Sequence, residues 1–488
     1  MTAGHFHYDG HGGLPDEAAL ARLATELYAE ASTAVAAPER VAPPDRVAAP
    51  AVSLGTAAAP DFYFVGPPLD IAGPSPRIDG RALDTDAIRR DFPILAEQVN
   101  GHPLVFLDNA ATTQKPRAVI DRLSGFYVHE NSNVHRGDHE LANRATQAYE
   151  DARATVARFL GAPSADDIVF VRGATEAINL VAQSWGRHSV RAGDEIVVSY
   201  LEHHANIVPW QQLAAETGAQ LKVIPVDDSG QLVLDAYREL LTDRTRLVAV
   251  THVSNALGTV VPVREVAQAA HHAGARVLVD GAQAVSHLPV DVQELDADFY
   301  VFSGHKVFGP TGIGALYGRS DLLESMPPWQ GGGSMIRNVT FEHTTYQQPP
   351  ARFEAGTAAI AQAAGLGTAL EYVDQFGRAN IARYERDLLD YATGRLLDVP
   401  GLRLIGTAPD RAAILSFVMD GYQPQEIGPA LNDVGIAVRA GHHCAQPVLR
   451  HFGLEATVRA ALAIYNTRAE VDLLAAMLHR LATRRPRR

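Results

Sequence analysis

The chain has 488 residues, 47% hydrophobic and 20% charged, proportions of a folded globular protein too long for one compact core. Its formal charge of -14, from 42 basic against 56 acidic residues, argues against a nucleic-acid polymer as the main ligand, because phosphate binding needs a basic surface. The one cysteine, Cys444, excludes an intrachain disulfide, a CxxC redox pair and a cysteine-rich zinc site, and no residue set is expected to bind a metal.

Residues 1–85 read differently from the rest. Leu20, Leu23 and Leu27 recur at helical spacing behind Pro15, Asp16 and Glu17, which predicts one short amphipathic helix. From Ser32 to Pro60 the chain is dominated by Ala, Pro and Val, with Pro38, Pro43, Pro44 and Pro50 interrupting any helix or ladder, the composition of a linker. An apolar island, Phe62–Val65, follows and is closed by Gly66, Pro67 and Pro68. The N-terminus has neither the basic segment nor the apolar run of a secretory signal, and no stretch of about 18 apolar residues is present, so a cytoplasmic protein is expected.

From about Asp86 strands and helices alternate, which predicts an α/β fold with a mostly parallel sheet covered on both faces. The apolar runs Ile168–Val171, Glu195–Ser199, Leu221–Pro225, Leu247–Thr251, Val277–Val279 and Phe299–Phe302 have the length and β-branched content of buried strands. Ala174–Gly186 and Val263–Gly274 carry helical periodicity. From about Phe353 two long helical stretches mix with strands near Ala413–Phe417 and Gly435–Arg439. The expected division is a large domain over 105–345, a smaller α+β domain from 86–104 and 346–488, and the extension 1–85.

Chemistry concentrates at the ends of these strands. The run from Asp298 to Ser303 delivers Lys306 onto a turn followed by Gly309, Gly312 and Gly314, leaving an amine free to reach a carbonyl. Val277–Val279 places Asp280 at the end of another strand. A carboxylate there can keep a pyridine nitrogen protonated and make the ring an electron sink, so the two together suggest pyridoxal phosphate. Gly173, Ala174 and Thr175 form a strand-to-helix turn whose free N–H groups attract a phosphate. Cys444 sits in a glycine-bearing loop beside His442 and His443, which can help stabilise a thiolate.

Other motifs fall in the same order as in a known family: the stretch from Leu107 to Pro116, Asn133–Gly137, Arg172–Leu180, Glu202–Asn206, Ser254–Gly258, Gly331–Ile336, Arg352–Thr357 and Arg439–Ala445. From about Asp86 to Thr483 the chain resembles the class V aminotransferases, most closely the SufS-like (group II) cysteine desulfurases. The resemblance implies the aspartate-aminotransferase-like fold of type I pyridoxal-phosphate enzymes, with a seven-stranded, mostly parallel sheet. It implies that Lys306 holds pyridoxal 5'-phosphate covalently and moves protons. Asp280 would pair with the ring nitrogen, Gln283 would donate to the phenolic oxygen and His203 would stack on the ring face. Ala174, Thr175, Ser303 and His305 would bind the phosphate, joined by Thr357 of a second subunit, which makes an obligate homodimer with a shared site. Arg459 would clamp the substrate carboxylate, with Asn255, Arg439 and His135 beside it, and Cys444 would accept sulfur as a persulfide.

The implied reaction converts L-cysteine to L-alanine and passes sulfur onward. SufE-like and SufU-like acceptor proteins both remain open, as do iron–sulfur cluster assembly, thio-modification and storage as its destination. Selenocysteine lyase on the same scaffold and an inactive binding subunit are the alternatives. The extension is similar to those of cysteine desulfurases packaged in encapsulin shells, which makes residues 1–85 a candidate targeting segment.

Overall fold

The computed structural model describes residues 83–483 except Arg136 and Asp138. The helix, linker and apolar island expected within residues 1–82 lie outside the described residues.

A two-residue hairpin (β1, Gln98–Val99; β2, His102–Pro103) and the short strand β3 (Val105–Phe106) precede the main sheet. Its seven strands are β4 (Ile168–Val171), β5 (Glu195–Ser199), β6 (Gln220–Ile224), β7 (Thr245–Thr251), β8 (Arg276–Asp280), β9 (Phe299–Ser303) and β10 (Gly314–Gly318). They lie side by side in the order β4-β10-β9-β8-β7-β5-β6. Only β10 runs against its neighbours; the other strands share one direction. Five of the six predicted runs are buried on both faces, as a sheet covered by helices requires, and each fully buried Val, Ile or Leu contributes roughly 1.5–3 kcal/mol. The sixth, β6, lies at the sheet edge with Gln220 and Val223 exposed.

Strand direction puts the C-terminal ends of β4, β5, β7, β8 and β9 on one rim. The segments leaving that rim are Gly173–Thr175, Glu202–Asn206, His252–Asn255, Asp280–Gln283 and Ser303–Lys306. Two glycines let them come close. A Cβ on Gly314 would stand 2.4 Å from the Phe302 carbonyl and 2.7 Å from Cα of Gly173, and one on Gly281 would enter the Tyr300 ring at 2.1 Å.

The helix expected over Ala174–Gly186 is α-helical only to Val181 and continues as a π turn over Ala182–Gly186. There Gly186 lies against Leu213, with no room for a side chain: its Cβ would fall 2.5 Å from the leucine. The apolar helix Ile360–Asp374 packs against Arg117–His129 and Glu140–Leu160.

A hairpin (β11, Ile336–Val339; β12, Thr344–Tyr346) carries the exposed Phe341 at its tip. Beyond it an antiparallel sheet, ordered β13-β14-β17-β16, is built from β13 (Leu402–Ile405), β14 (Ile414–Met419), β16 (Arg439–Gly441) and β17 (Thr457–Ala461). Leu388, Leu396, Leu474 and Leu478 of the helices Arg378–Leu397 and Arg468–Thr483 cover it. The strand expected over Gly435–Arg439 divides at Val438. Ile436–Ala437 (β15) pairs in parallel with β3, while β16 joins β17, so one run serves two sheets.

Candidate active site

β9 ends at Ser303 and a single 3-10 turn, Gly304–Lys306, follows; Gly304 N–H donates to the Ile313 carbonyl at 2.9 Å, tying the turn to the glycine-rich segment after it. Lys306 Nζ makes no hydrogen bond or ion pair among the described residues. Burial lowers its pKa, the Asp280 carboxylate opposes that shift, and Arg459 and Arg439 add to it. Asp280, 4% exposed, accepts Ala282 N–H at 3.0 Å on Oδ1; burial raises its pKa and Lys306 counters. Burial thus works against the charge on both groups more strongly than they stabilise each other. A partly buried amine and a buried acid left in this state fit a ligand that bonds covalently to the first and offers a cationic nitrogen to the second, which is the donor pattern of pyridoxal phosphate.

Beside them a cavity of about 520 Å³ is lined by Arg172, Gly173, Thr175, Asn179, Ser303 and His305. Ala174 N–H donates to Ser303 Oγ at 2.9 Å, which leaves the serine hydroxyl proton free to donate outward. The helix Ala174–Val181 begins here, so its positive end faces the cradle an anion would occupy. His305 is kept neutral, its pKa lowered to about 4 by burial, Lys306 and Lys115.

His203 follows β5, with its pKa lowered to about 3 by burial and then by Lys306. Its Nδ1 accepts Ala205 N–H at 3.1 Å, so the neutral ring carries its proton on Nε2. Behind it Glu202, fully buried, takes hydrogen bonds from Ser199 and, at 2.6 Å, from Asn206, whose Oδ1 accepts Trp210 Nε1 at 2.9 Å. Gln283 spends one amide hydrogen on the Ala110 carbonyl at 2.6 Å.

At the other end stand Arg459 and Cys444. Arg459, 2% exposed on β17, donates from Nη1 to the Asn255 carbonyl at 2.7 Å and from Nη2 to Asp108 at 3.3 Å, while its Nε has no partner. The fork of Arg439 is already engaged by Asp108, at 2.9–3.2 Å, and half of the side chain is in solvent. Asp108 therefore bridges both arginines. Cys444 is exposed, and both it and His443 hold left-handed backbone, φ 56° and 54°. For side chains with a Cβ that conformation is costly, and surrounding bonds hold it. Asn255 Nδ2 donates to the His443 carbonyl at 2.6 Å, His204 N–H to the Cys444 carbonyl at 2.8 Å, and the His443 ring meets Thr457 at 2.8 Å. The Asn255 donor expected at the substrate is thus shared with the cysteine loop.

Two expected site residues are not brought to this cleft within one chain. His135, exposed, pairs with Glu150 at 3.2 Å, and Thr357, also exposed, lines a cavity of about 620 Å³ with Tyr149 and Glu354 that adjoins the Ser303–His305 cavity through Arg172 and Glu176. The roles of Asp108, Thr112, Lys115 and His204 were not assigned from sequence, although all four lie inside the quoted motifs; only long-range geometry singles them out.

Comparison with known proteins fits this arrangement. Residues 105–474 match the family described as aminotransferase class-V. A cysteine desulfurase of Synechococcus elongatus is 64% identical over 401 residues, 82% of this chain and 64% of that protein. A probable cysteine desulfurase of Mycolicibacterium paratuberculosis is 60% identical over 436 residues, 89% of this chain and 63% of that protein. This chain thus spans less than two thirds of the length of either relative. The crystal structure of the cysteine desulfurase CsdA from Escherichia coli superposes with a TM-score of 0.77 and 42% identity, over 83% of this chain and 99% of that one. In sequence, fold and the placing of a lysine and an acid at adjoining strand ends, the chain belongs to the aminotransferase class-V family.

Proposed function

We propose that the protein is a pyridoxal-phosphate-dependent cysteine desulfurase of the SufS-like group, converting L-cysteine to L-alanine and taking up the sulfur on Cys444. The observation that carries this reading is the convergence of three features: the partly buried Lys306 beside the buried Asp280, the Arg459 guanidinium with an unpartnered Nε, and an exposed lone thiol on a pinned left-handed loop. Both Lys306 and Arg459 feel the charge of Cys444, which places the thiol within electrostatic reach of them.

The cofactor, held by Lys306, Asp280, Gln283, Ala174, Thr175, Ser303 and His305, supplies an electron sink for charge developing at the substrate Cα. Arg459 binds the substrate carboxylate, which orients the amino group toward Lys306. Lys306, its pKa lowered by burial, removes the Cα proton as an amine. His203, neutral with Nε2–H, would stand against the bound cofactor. The Cys444 thiolate attacks the substrate sulfur: an S–S bond forms, the C–S bond breaks with its electron pair left on carbon, and a proton delivered there completes alanine. A thiol with no second cysteine beside it must pass the sulfur to an external acceptor, which we take to be a SufE-like or SufU-like protein.

His135 and Thr357 line neighbouring cavities that share Tyr149 and Glu354, and neither is among the residues lining the Ser303–His305 cavity. This favours a homodimer in which each chain lends them to its partner's site, with 105–345 as the large domain and 86–104 plus 346–488 as the small one. The Mycolicibacterium match, at 436 residues, is longer than the chain from Asp86 to Arg488, so it reaches into the extension. From their composition, two short apolar elements joined by an Ala/Pro-rich linker, we propose that residues 1–85 dock in an encapsulin shell. Packaging of a fluorescent protein fused to residues 1–85 tests this; a fusion that is never captured overturns it.

The activity is tested by incubating the purified protein with pyridoxal 5'-phosphate and L-cysteine. The expected result is stoichiometric alanine and a Cys444 peptide heavier by one sulfur atom; alanine without that peptide overturns the role of Cys444. With selenocysteine, Cys444→Ala is expected to retain turnover.

A further inference from the structure

The segment Thr112–Lys115 grips the peptide immediately before Lys306. Donors from this one segment converge on the His305 carbonyl oxygen: Thr113 N–H at 3.0 Å, Lys115 Nζ at 3.1 Å, and the hydroxyls of Thr112 at 3.0 Å and Thr113 at 3.2 Å. A carbonyl has two lone pairs, so these donors compete. Thr113 Oγ1 also accepts Phe308 N–H at 2.7 Å, and Thr112 Oγ1 stands 3.2 Å from His305 Nδ1. If the backbone N–H and the ammonium satisfy the carbonyl, the Thr112 hydroxyl is released to donate to His305 Nδ1. The neutral imidazole then carries its proton on Nε2, free to donate toward the cradle that His305 lines.

Lys115 has an unusual setting for this role. It is partly buried, no carboxylate pairs with it among the described residues, and its other contact is the Thr113 carbonyl. Burial lowers its pKa to about 8, so it stays charged at neutral pH. A partly buried cation without a counter-ion is favoured when an anion completes its surroundings.

We propose that Lys115 is a positioning residue: its ammonium fixes the His305–Lys306 peptide and the His305 tautomer, and its charge favours a phosphate dianion in the adjoining cradle. The inference rests on the proposed cofactor and not on the sulfur chemistry. It makes the stretch from Leu107 to Pro116 the fastening of the Lys306 turn rather than a neighbouring loop.

The test uses full-length protein stripped of cofactor and titrated with pyridoxal 5'-phosphate, followed by absorbance against pH of the loaded forms. Lys115→Ala is expected to raise the cofactor Kd on the order of tenfold, the loss of one charge-assisted hydrogen bond. It is also expected to move the protonation midpoint of the Lys306-linked chromophore upward, because a positive charge has left its surroundings. Lys115→Arg should restore both, and Lys115→Gln, which keeps a donor without charge, should leave the midpoint displaced; it also serves if the alanine variant does not fold. Parent-like Kd and midpoint in both Lys115→Ala and Lys115→Gln overturn the inference, as does an arginine variant as impaired as alanine. A parent protein that binds no cofactor overturns the proposed function itself.

Discussion

The strand-end half of the cleft and the thiol-bearing half differ in how far their polar groups are already committed. Around Lys306 the acceptors are engaged: Ser303, Asp280, His203 and the His305 carbonyl each receive a backbone or side-chain donor, and the residues behind them are core. Around Cys444 the partners are interchangeable. Asp108 is shared by two arginines, Arg459 Nε and Asn255 Oδ1 have no partner, and the thiol stands in solvent on strained backbone. The first half is arranged to hold a permanent group without moving. The second is arranged to exchange partners, which suits the proposed entry of a small acid and the proposed hand-over of sulfur.

Substitutions at the two halves should break this contrast in different ways. Lys306→Ala removes the covalent anchor, and turnover of L-cysteine is expected to fall by on the order of 10³ or more, with loss of the lysine-linked absorbance band. Cys444→Ser should abolish sulfur uptake from L-cysteine while leaving cofactor absorbance and Kd at parent values; reduced cofactor binding would mean that the halves are not separate. For Arg459→Lys, steady-state kinetics should show KM for L-cysteine raised about tenfold or more with a smaller change in kcat, since an ammonium cannot replace the planar fork.

A pH experiment sharpens the comparison from the strand-end side. His252, buried between the Asp280 carbonyl and Tyr300, has its pKa lowered to about 4 by burial. Below pH 6.5 the unfolded chain binds a proton at this position that the native state refuses, so the contribution is complete above about 6.5 and is lost as pH falls toward 4. Urea titrations across that window should show His252→Gln losing roughly 3 kcal/mol less stability than the parent. An equal loss in both proteins would remove His252 from the account. The smallest effect belongs to His204, whose main-chain N–H, not its ring, holds Cys444: His204→Ala should lower sulfur uptake by no more than about threefold, measured as persulfide formed per alanine.

Much of the main sheet was legible because buried parallel strands are written as short β-branched runs, and Ile168–Val171, Glu195–Ser199 and Phe299–Phe302 coincide with β4, β5 and β9 to within a residue. Lys306 and Asp280 were legible for the same reason, each lying at a readable strand end. What could not be read depends on distance along the chain. Asp108 meets Arg439 and Arg459 across 331 and 351 residues, and nothing local in the stretch from Leu107 to Pro116 announces those partners. The division of Gly435–Gly441 between two sheets was hidden because both halves have the same extended pattern, and only the presence of β3 decides where the first ends.

The pairing of β3 with β15 also has a consequence for how the molecule is made. Val105 and Phe106 leave the ribosome early and wait for Ile436 and Ala437; Asp108 waits in the same way for Arg439, Arg459 and Ala461. The seven-stranded body, with Lys306 and Asp280, is fully synthesised well before these partners emerge, and domains tend to fold as units in the order of synthesis. A chain that folds as it is made therefore brings Lys306 and Asp280 together first and Cys444 and Arg459 last, when synthesis has joined the two ends of the polypeptide.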